Sequence, residues 1–189
     1  TDADRRPWCL TVSFTHPHDP YVARRKYWDL YEGIAELDPP VEDLGYANQD
    51  PHSRRLIDAC DSHKFDITRE TVRRARQGYF ANISYIDDKV GDLLETLRTT
   101  RMLDNTIVLF TSDHGDMLGE RGLWFKMSFF EGSARVPLMV AGPGVTPRLV
   151  NEPVSTLDIN PTLADLAGES EVGPAHIAEA VQYRVLDRG

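Results

Sequence analysis

At 189 residues the chain has the length of a single domain. Its 41% hydrophobic content is enough for a real core and excludes the disordered and low-complexity classes. Acidic residues outnumber basic ones 30 to 21, for a net charge of −9, which leaves no electrostatic footprint for nucleic acid or an anionic membrane.

Residues 8–14, WCLTVSF, are apolar and rich in β-formers, which predicts a buried strand. Two prolines in THPHDPY stop it. A short helix or irregular aromatic stretch is expected over 22–31, followed by a loop over 36–53, where Pro, Gly, Asn and Asp cluster. A long helix is predicted from about Thr68. Val72, Ala75, Tyr79, Ile83, Ile86, Val90, Leu93, Leu94 and Leu97 recur there at three- and four-residue steps. Arg69, Arg73, Arg74 and Arg76 on that helix read as a solvated face. TIVLFTS at 106–112 and VPLMVAG at 136–142 are two further strands, and 155–168 is a helix that includes Pro161 and closes on Gly168. Strands alternating with helices indicate an α/β layer fold with a largely parallel sheet.

In such folds ligands bind beyond the carboxyl ends of strands. Two polar clusters follow predicted strands directly, His16–Asp19 and Asp113–Asp116, and so are expected to share one site. Asp113 and His114 can both reach one divalent cation, the first by its carboxylate and the second by a neutral imidazole nitrogen. Gly115 would permit the sharp turn between them. Alternatively, D-H-G is an Asx-type turn with a surface histidine. Lys126 lies within LWFKMSFF, an apolar setting in which a lysine requires a nearby anion. His16 and His18, two residues apart, lack the third ligand that a zinc site would demand.

Residues 111–144, TSDHGDMLGERGLWFKMSFFEGSARVPLMVAGPG, resemble the sulfatases of the alkaline-phosphatase superfamily, as does FTHPHDPY, and the likeness runs over roughly residues 8–168. The resemblance implies an alkaline-phosphatase-like α/β three-layer sandwich with a largely parallel sheet, incomplete in this chain. It implies that Asp113 and His114 ligate a divalent metal, Ca²⁺ with Mn²⁺ as the alternative. It further implies that Lys126 contacts the sulfate, that His18 of Pro17-His18-Asp19-Pro20 protonates the leaving oxygen, and that Arg135-Val136-Pro137 leads into the next strand. His16 falls outside the match and is read as a supporting residue. The implied activity is sulfuric ester hydrolysis with choline sulfate as the small-molecule substrate. The implied full-length protein is a homo-oligomer.

Two departures qualify this resemblance. The family's formylglycine arises from C/S-x-P-S-R, and neither Cys9, followed by Leu-Thr-Val, nor Cys60, followed by Asp-Ser-His, fits it. The family's first acidic metal ligands are missing as well. Residues 1–168 are therefore expected to be the C-terminal part of a catalytic domain, inactive alone, and residues 169–189 a divergent tail. The two cysteines fit no C-x-x-C pattern, and a reducing, cytoplasmic setting is expected. Phosphonate monoester hydrolases and phosphodiesterases of the same superfamily are the competing enzymes, although no Asp here has a His four residues on, as two-zinc phosphodiesterases do. An inactive truncated relic is the non-enzyme reading.

Overall fold

The computed structural model describes residues 8–34 and 37–167. The chain divides into two compact units, one of His16–Pro147 and the other of Thr1–Thr15 with Arg148–Gly189. Every residue singled out for chemistry lies in the first.

That unit is organised around one helix. After the short α1 (Arg25–Trp28) and the nine-residue α2 (Pro51–Ala59), α3 runs from Arg69 to Thr99, 31 residues in all. Thr68 caps α3, its hydroxyl accepting from Thr71 N at 3.2 Å, and Glu70 sits in the first turn where the helix dipole favours an anion. Its buried face is Arg76, Gly78, Ala81, Asn82, Tyr85 and Ile86. Of the predicted apolar series, only Ile86 is buried, whereas Ile83, Leu93 and Leu94 are exposed. α1 packs on α3 through Tyr27, whose hydroxyl donates to Asp88 at 2.7 Å and whose ring meets Tyr85 edge-on.

Two small antiparallel ladders complete the unit. β1 (Val108–Thr111) pairs with β4 (Leu138–Ala141), with Val108 opposite Ala141 and Thr111 opposite Leu138. β2 (Met117–Leu118) pairs with β3 (Trp124–Phe125), with Met117 opposite Phe125. The parallel pairing expected of the sheet is not among these two ladders. Ile57 of α2 packs with Met117 and Leu123 against the hairpin, and Phe130, just before α4 (Glu131–Ala134), closes that cluster.

Three expectations require correction. Residues 8–14 form no strand, because an apolar run becomes one only where a neighbour supplies ladder hydrogen bonds, and none among the described residues does. The loop expected over 36–53 ends early. Asp50 accepts from His52 N and Ser53 N and starts α2 with Pro51 at its first position, where a missing N–H costs nothing. Arg76 is buried, not solvated. It donates to the Leu118 carbonyl at 3.2 Å and pairs with Glu120, whose other oxygen accepts from Leu118 N. In the second unit, Ser155 and Asp158 form a capping box leading through a 3-10 turn into α5 (Ile159–Ala167), which lies within the helix expected over 155–168. Gly168 and the tail 169–189 lie outside the described residues.

Candidate functional site

α3 carries the loop that bears His18. Gly78 of α3 has no side chain, and a Cβ there would lie 2.2 Å from the Tyr21 carbonyl oxygen, so the loop backbone can lie against the helix only at glycine. The Tyr21 ring meets Tyr79 edge-on at 5.8 Å, and His16 meets Tyr85 at 5.1 Å. His16 is therefore a packing residue. Between these two anchors stands His18, flanked by cis peptide bonds at His16-Pro17 and Asp19-Pro20.

The β2–β3 hairpin carries Lys126. Extending its register by one residue past Met117–Phe125 sets Asp116 opposite Lys126. Arg76 of α3 holds the β2 strand by the Leu118 carbonyl. One helix thus supports both halves of the site, and Lys126 Nζ lies 2.8 Å from His18 Nε2. The His18 Nδ1 lies 2.9 Å from the Asp19 carbonyl, which can only accept, so the ring hydrogen belongs on Nδ1. Nε2 then offers a lone pair to the Lys126 ammonium. The backbone around Lys126 is strained, with φ of +66° at Phe125 and +75° at Met127, a conformation that costs about 1–3 kcal/mol per residue.

Asp113 and His114 follow β1. Ser112 orders the turn, its hydroxyl donating to the His114 carbonyl at 2.8 Å, while the Asp113 carboxylate accepts from His114 N at 3.0 Å. The His114 Nδ1 faces the Gly115 carbonyl at 2.7 Å, which leaves its Nε2 as the free lone pair, 3.7 Å from Asp113 Oδ2. Two donors at cation bond lengths of about 2.3–2.6 Å, roughly at right angles, stand about 3.3–3.7 Å apart. The pair has the tautomer and spacing of two ligands to one cation. Among the described residues no group of three or more His, Cys, Asp or Glu could hold a metal, so these two make at most half a site. Gly115 has a different duty from the expected sharp turn. A Cβ on it would lie 2.2 Å from the Gly132 carbonyl, and its N–H donates to Ser133 O at 2.8 Å, so the loop is fastened to α4 by close backbone approach.

Asp116 enters the sequence reading only as the end of the Asp113–Asp116 cluster, with no role of its own. It is half-buried, and desolvation pushes its carboxyl above the ordinary range, opposed by the Tyr21 hydroxyl bond, by the Lys126 charge and, when they are protonated, by His114 and His18. Tyr21 donates to it at 3.2 Å. Burial and this same carboxylate push the Tyr21 hydroxyl up, and Tyr79, beside it, rises to about 12. Asp116 thus carries a carboxylate hydrogen-bonded to Tyr21 and close enough to Lys126, His18 and His114 for their charges to act on it. Its proximity to Lys126 depends on hairpin register, which no local motif announces. Arg135 takes no part here, since it pairs with Glu131 at 3.3 Å on the exposed face of α4.

A sulfatase family model matches residues 1–169. The chain is 67% identical over 175 residues to a choline-sulfatase of Rhizobium meliloti, covering 92% of this chain and 34% of that protein. It is 35% identical over 168 residues to an arylsulfatase of Clostridium perfringens, covering 86% of this chain and again 34% of the relative. It therefore spans about a third of the length of these relatives. Among solved structures, a phosphonate monoester hydrolase of Silicibacter pomeroyi superposes with a TM-score of 0.72 at 26% identity, over 87% of this chain and 34% of that one. The alkaline-phosphatase-like α/β fold class follows from these matches.

Proposed function

Because this chain belongs to the sulfatase family, we propose that residues 1–168 are the C-terminal part of a sulfuric ester hydrolase's catalytic domain, with choline sulfate as its substrate. The observation that carries this reading is the 2.8 Å contact between Lys126 Nζ and His18 Nε2. The choice of ester rests on the 67% identity to the Rhizobium choline-sulfatase.

The pair holds one transferable proton between two nitrogens. When the sulfur–oxygen bond of the ester breaks, its electron pair goes to the choline oxygen, an alkoxide that leaves poorly without a proton. His18 and Lys126 deliver that proton, and choline departs as the neutral-oxygen alcohol. The pair is one proton short until solvent restores it. Before transfer, the Lys126 charge also stabilises the negative charge building on the transferring group. Asp116, opposite Lys126 in the hairpin register, adds negative charge to the surroundings of that cation, while Tyr21 satisfies the Asp116 carboxylate. A divalent cation, Ca²⁺ or Mn²⁺, would be held in part by Asp113 and His114, and would screen the sulfate oxygens. The attacking oxygen, that of a formylglycine hydrate, is not supplied by these 189 residues, so this chain alone is inactive.

Phosphonate monoester hydrolysis is the second reading, favoured by the superposition on the Silicibacter protein. The deciding experiment is turnover of choline sulfate against phenyl phosphonate monoesters by the full-length enzyme. A higher kcat/KM for choline sulfate supports the first reading, and a preference for the phosphonate overturns it.

A further inference from the structure

We propose that His52 is a positioning residue for Lys126, holding the loop that aims its ammonium at His18; this deepens the sulfate ester hydrolase reading and rests on it. His52 is the second residue of α2 and lies 75 positions from the loop it touches, with Nε2 3.0 Å from the carbonyl oxygen of Met127. A carbonyl can only accept, so Nε2 carries the hydrogen and His52 donates. The helix end that presents the ring is itself fixed. Asp50 accepts from His52 N at 2.9 Å and from Ser53 N at 3.1 Å, and the buried Ser53 hydroxyl donates to its other oxygen.

The Met127 carbonyl is a consequential place for such a bond. Lys126 lies between two residues with left-handed backbone, Phe125 and Met127, and neither is glycine. Such a conformation persists only where its surroundings over-determine it. On the amino-terminal side the β2–β3 ladder supplies the constraint, through Phe125 opposite Met117. On the carboxyl side the side chains of Met127 and Phe129 are exposed, while Ser128 is buried and Phe130 packs on the hairpin cluster; at Met127 itself the His52 bond ties the backbone to α2. With it released, Met127 can relax toward ordinary φ, and Lys126 swings away from His18 Nε2.

The test compares two polar substitutions that differ by one methylene. The amide nitrogen of glutamine reaches where Nε2 stands, whereas that of asparagine stops at Nδ1. His52 is exposed, so neither change empties the core. In the full-length enzyme, His52→Asn should lower kcat on choline sulfate by about 10–100-fold, the loss that a displacement of about 1 Å can bring. KM should move much less, and His52→Gln should recover most of the rate. A second readout does not depend on turnover: the rate at which acetic anhydride labels the Lys126 amine, followed by peptide mass spectrometry, with urea unfolding as the control for global stability. His52→Asn should change that rate several-fold while His52→Gln keeps it. If His52→Asn leaves both kcat and Lys126 labelling as in the wild type, or if the glutamine variant fails as badly as the asparagine one, the positioning role is overturned. A wild-type enzyme inactive on choline sulfate would sink the substrate reading alone, because the labelling comparison would still decide whether His52 holds Lys126.

Discussion

His18→Ala offers the sharpest separation between a proton donor and a mere sulfate-binding group. In this site the substitution removes Nε2 but leaves the Lys126 ammonium, which stood 2.8 Å away and remains able to donate. The loss on choline sulfate should therefore fall at the lower end of the range for general acids, about 10²-fold in kcat/KM. Lys126→Ala should cost more. The remaining His18 keeps its hydrogen on Nδ1 against the Asp19 carbonyl, so Nε2 has no proton to give, and the charge on the transferring group is lost as well. A loss of about 10³-fold, or roughly 4 kcal/mol, is expected. Because the two side chains act as a unit, the double variant should sit near the Lys126 single variant, at about 10³-fold and not at the additive 10⁵-fold. On an aryl sulfate such as nitrocatechol sulfate, whose phenolate leaves unaided, His18→Ala should cost less than about tenfold. The assay is kcat/KM for both esters across the three variants of the full-length enzyme. Equal losses on the two esters for His18→Ala would refute the acid role, and additive losses in the double variant would refute the shared proton.

Asp113→Ala should abolish hydrolysis of both esters and reduce the metal retained after gel filtration, measured by mass spectrometry, because a cation serves every substrate alike; full metal content in an active variant would remove Asp113 as a ligand. Arg76→Met should destabilise the fold by about 3–5 kcal/mol in denaturant titration, since it strands the Glu120 carboxylate and the Leu118 carbonyl in a buried setting; a loss below about 1 kcal/mol would mean that solvent reaches the pair. Asp38, beside Arg69 and Arg73, and Asp50, capping α2, are both lowered from an ordinary 3.8 to about 2. The folded state thus prefers them charged: their contribution is present above 3.8 and is withdrawn as pH falls through about 2. Unfolding midpoints measured across that window should fall with pH, and the double variant Asp38→Asn with Asp50→Asn should flatten the fall.

Much of the scaffold was legible because it depends on local chemistry. Thr68 marks the start of α3 as an N-cap, and the strand cores 108–111 and 138–141 lie inside the runs read as strands. The start of α2 was equally local, an Asp followed by a Pro, but it lay among turn residues and was read as a continuation of the loop. Strand direction was out of reach, because alternation of side chains says which face is buried and nothing about whether the neighbour runs parallel. Arg76 misled for a related reason. Four arginines in eight residues suggest a wet face, but a guanidinium can be buried where a carbonyl and a carboxylate await it, and those belong to residues 118 and 120.

The same distinction divides the site. His18, Asp113, His114 and Lys126 were recognisable one motif at a time, and the structure brings them into two close pairs. The groups that make the pairs coherent were not recognisable, because each acts across a long stretch of chain: Tyr21 on Asp116 over 95 residues, Arg76 on Leu118 over 42, His52 on Met127 over 75. Such contacts come from packing on α3 and from hairpin register, which motifs do not encode. In this domain the residues proposed to act on substrate are written in short patterns, and the residues that pack around them are written in the fold. Among the first kind, His18→Ala should discriminate between esters, whereas Asp113→Ala should not. Substitutions at the second kind should lower rate or stability without altering which ester is preferred.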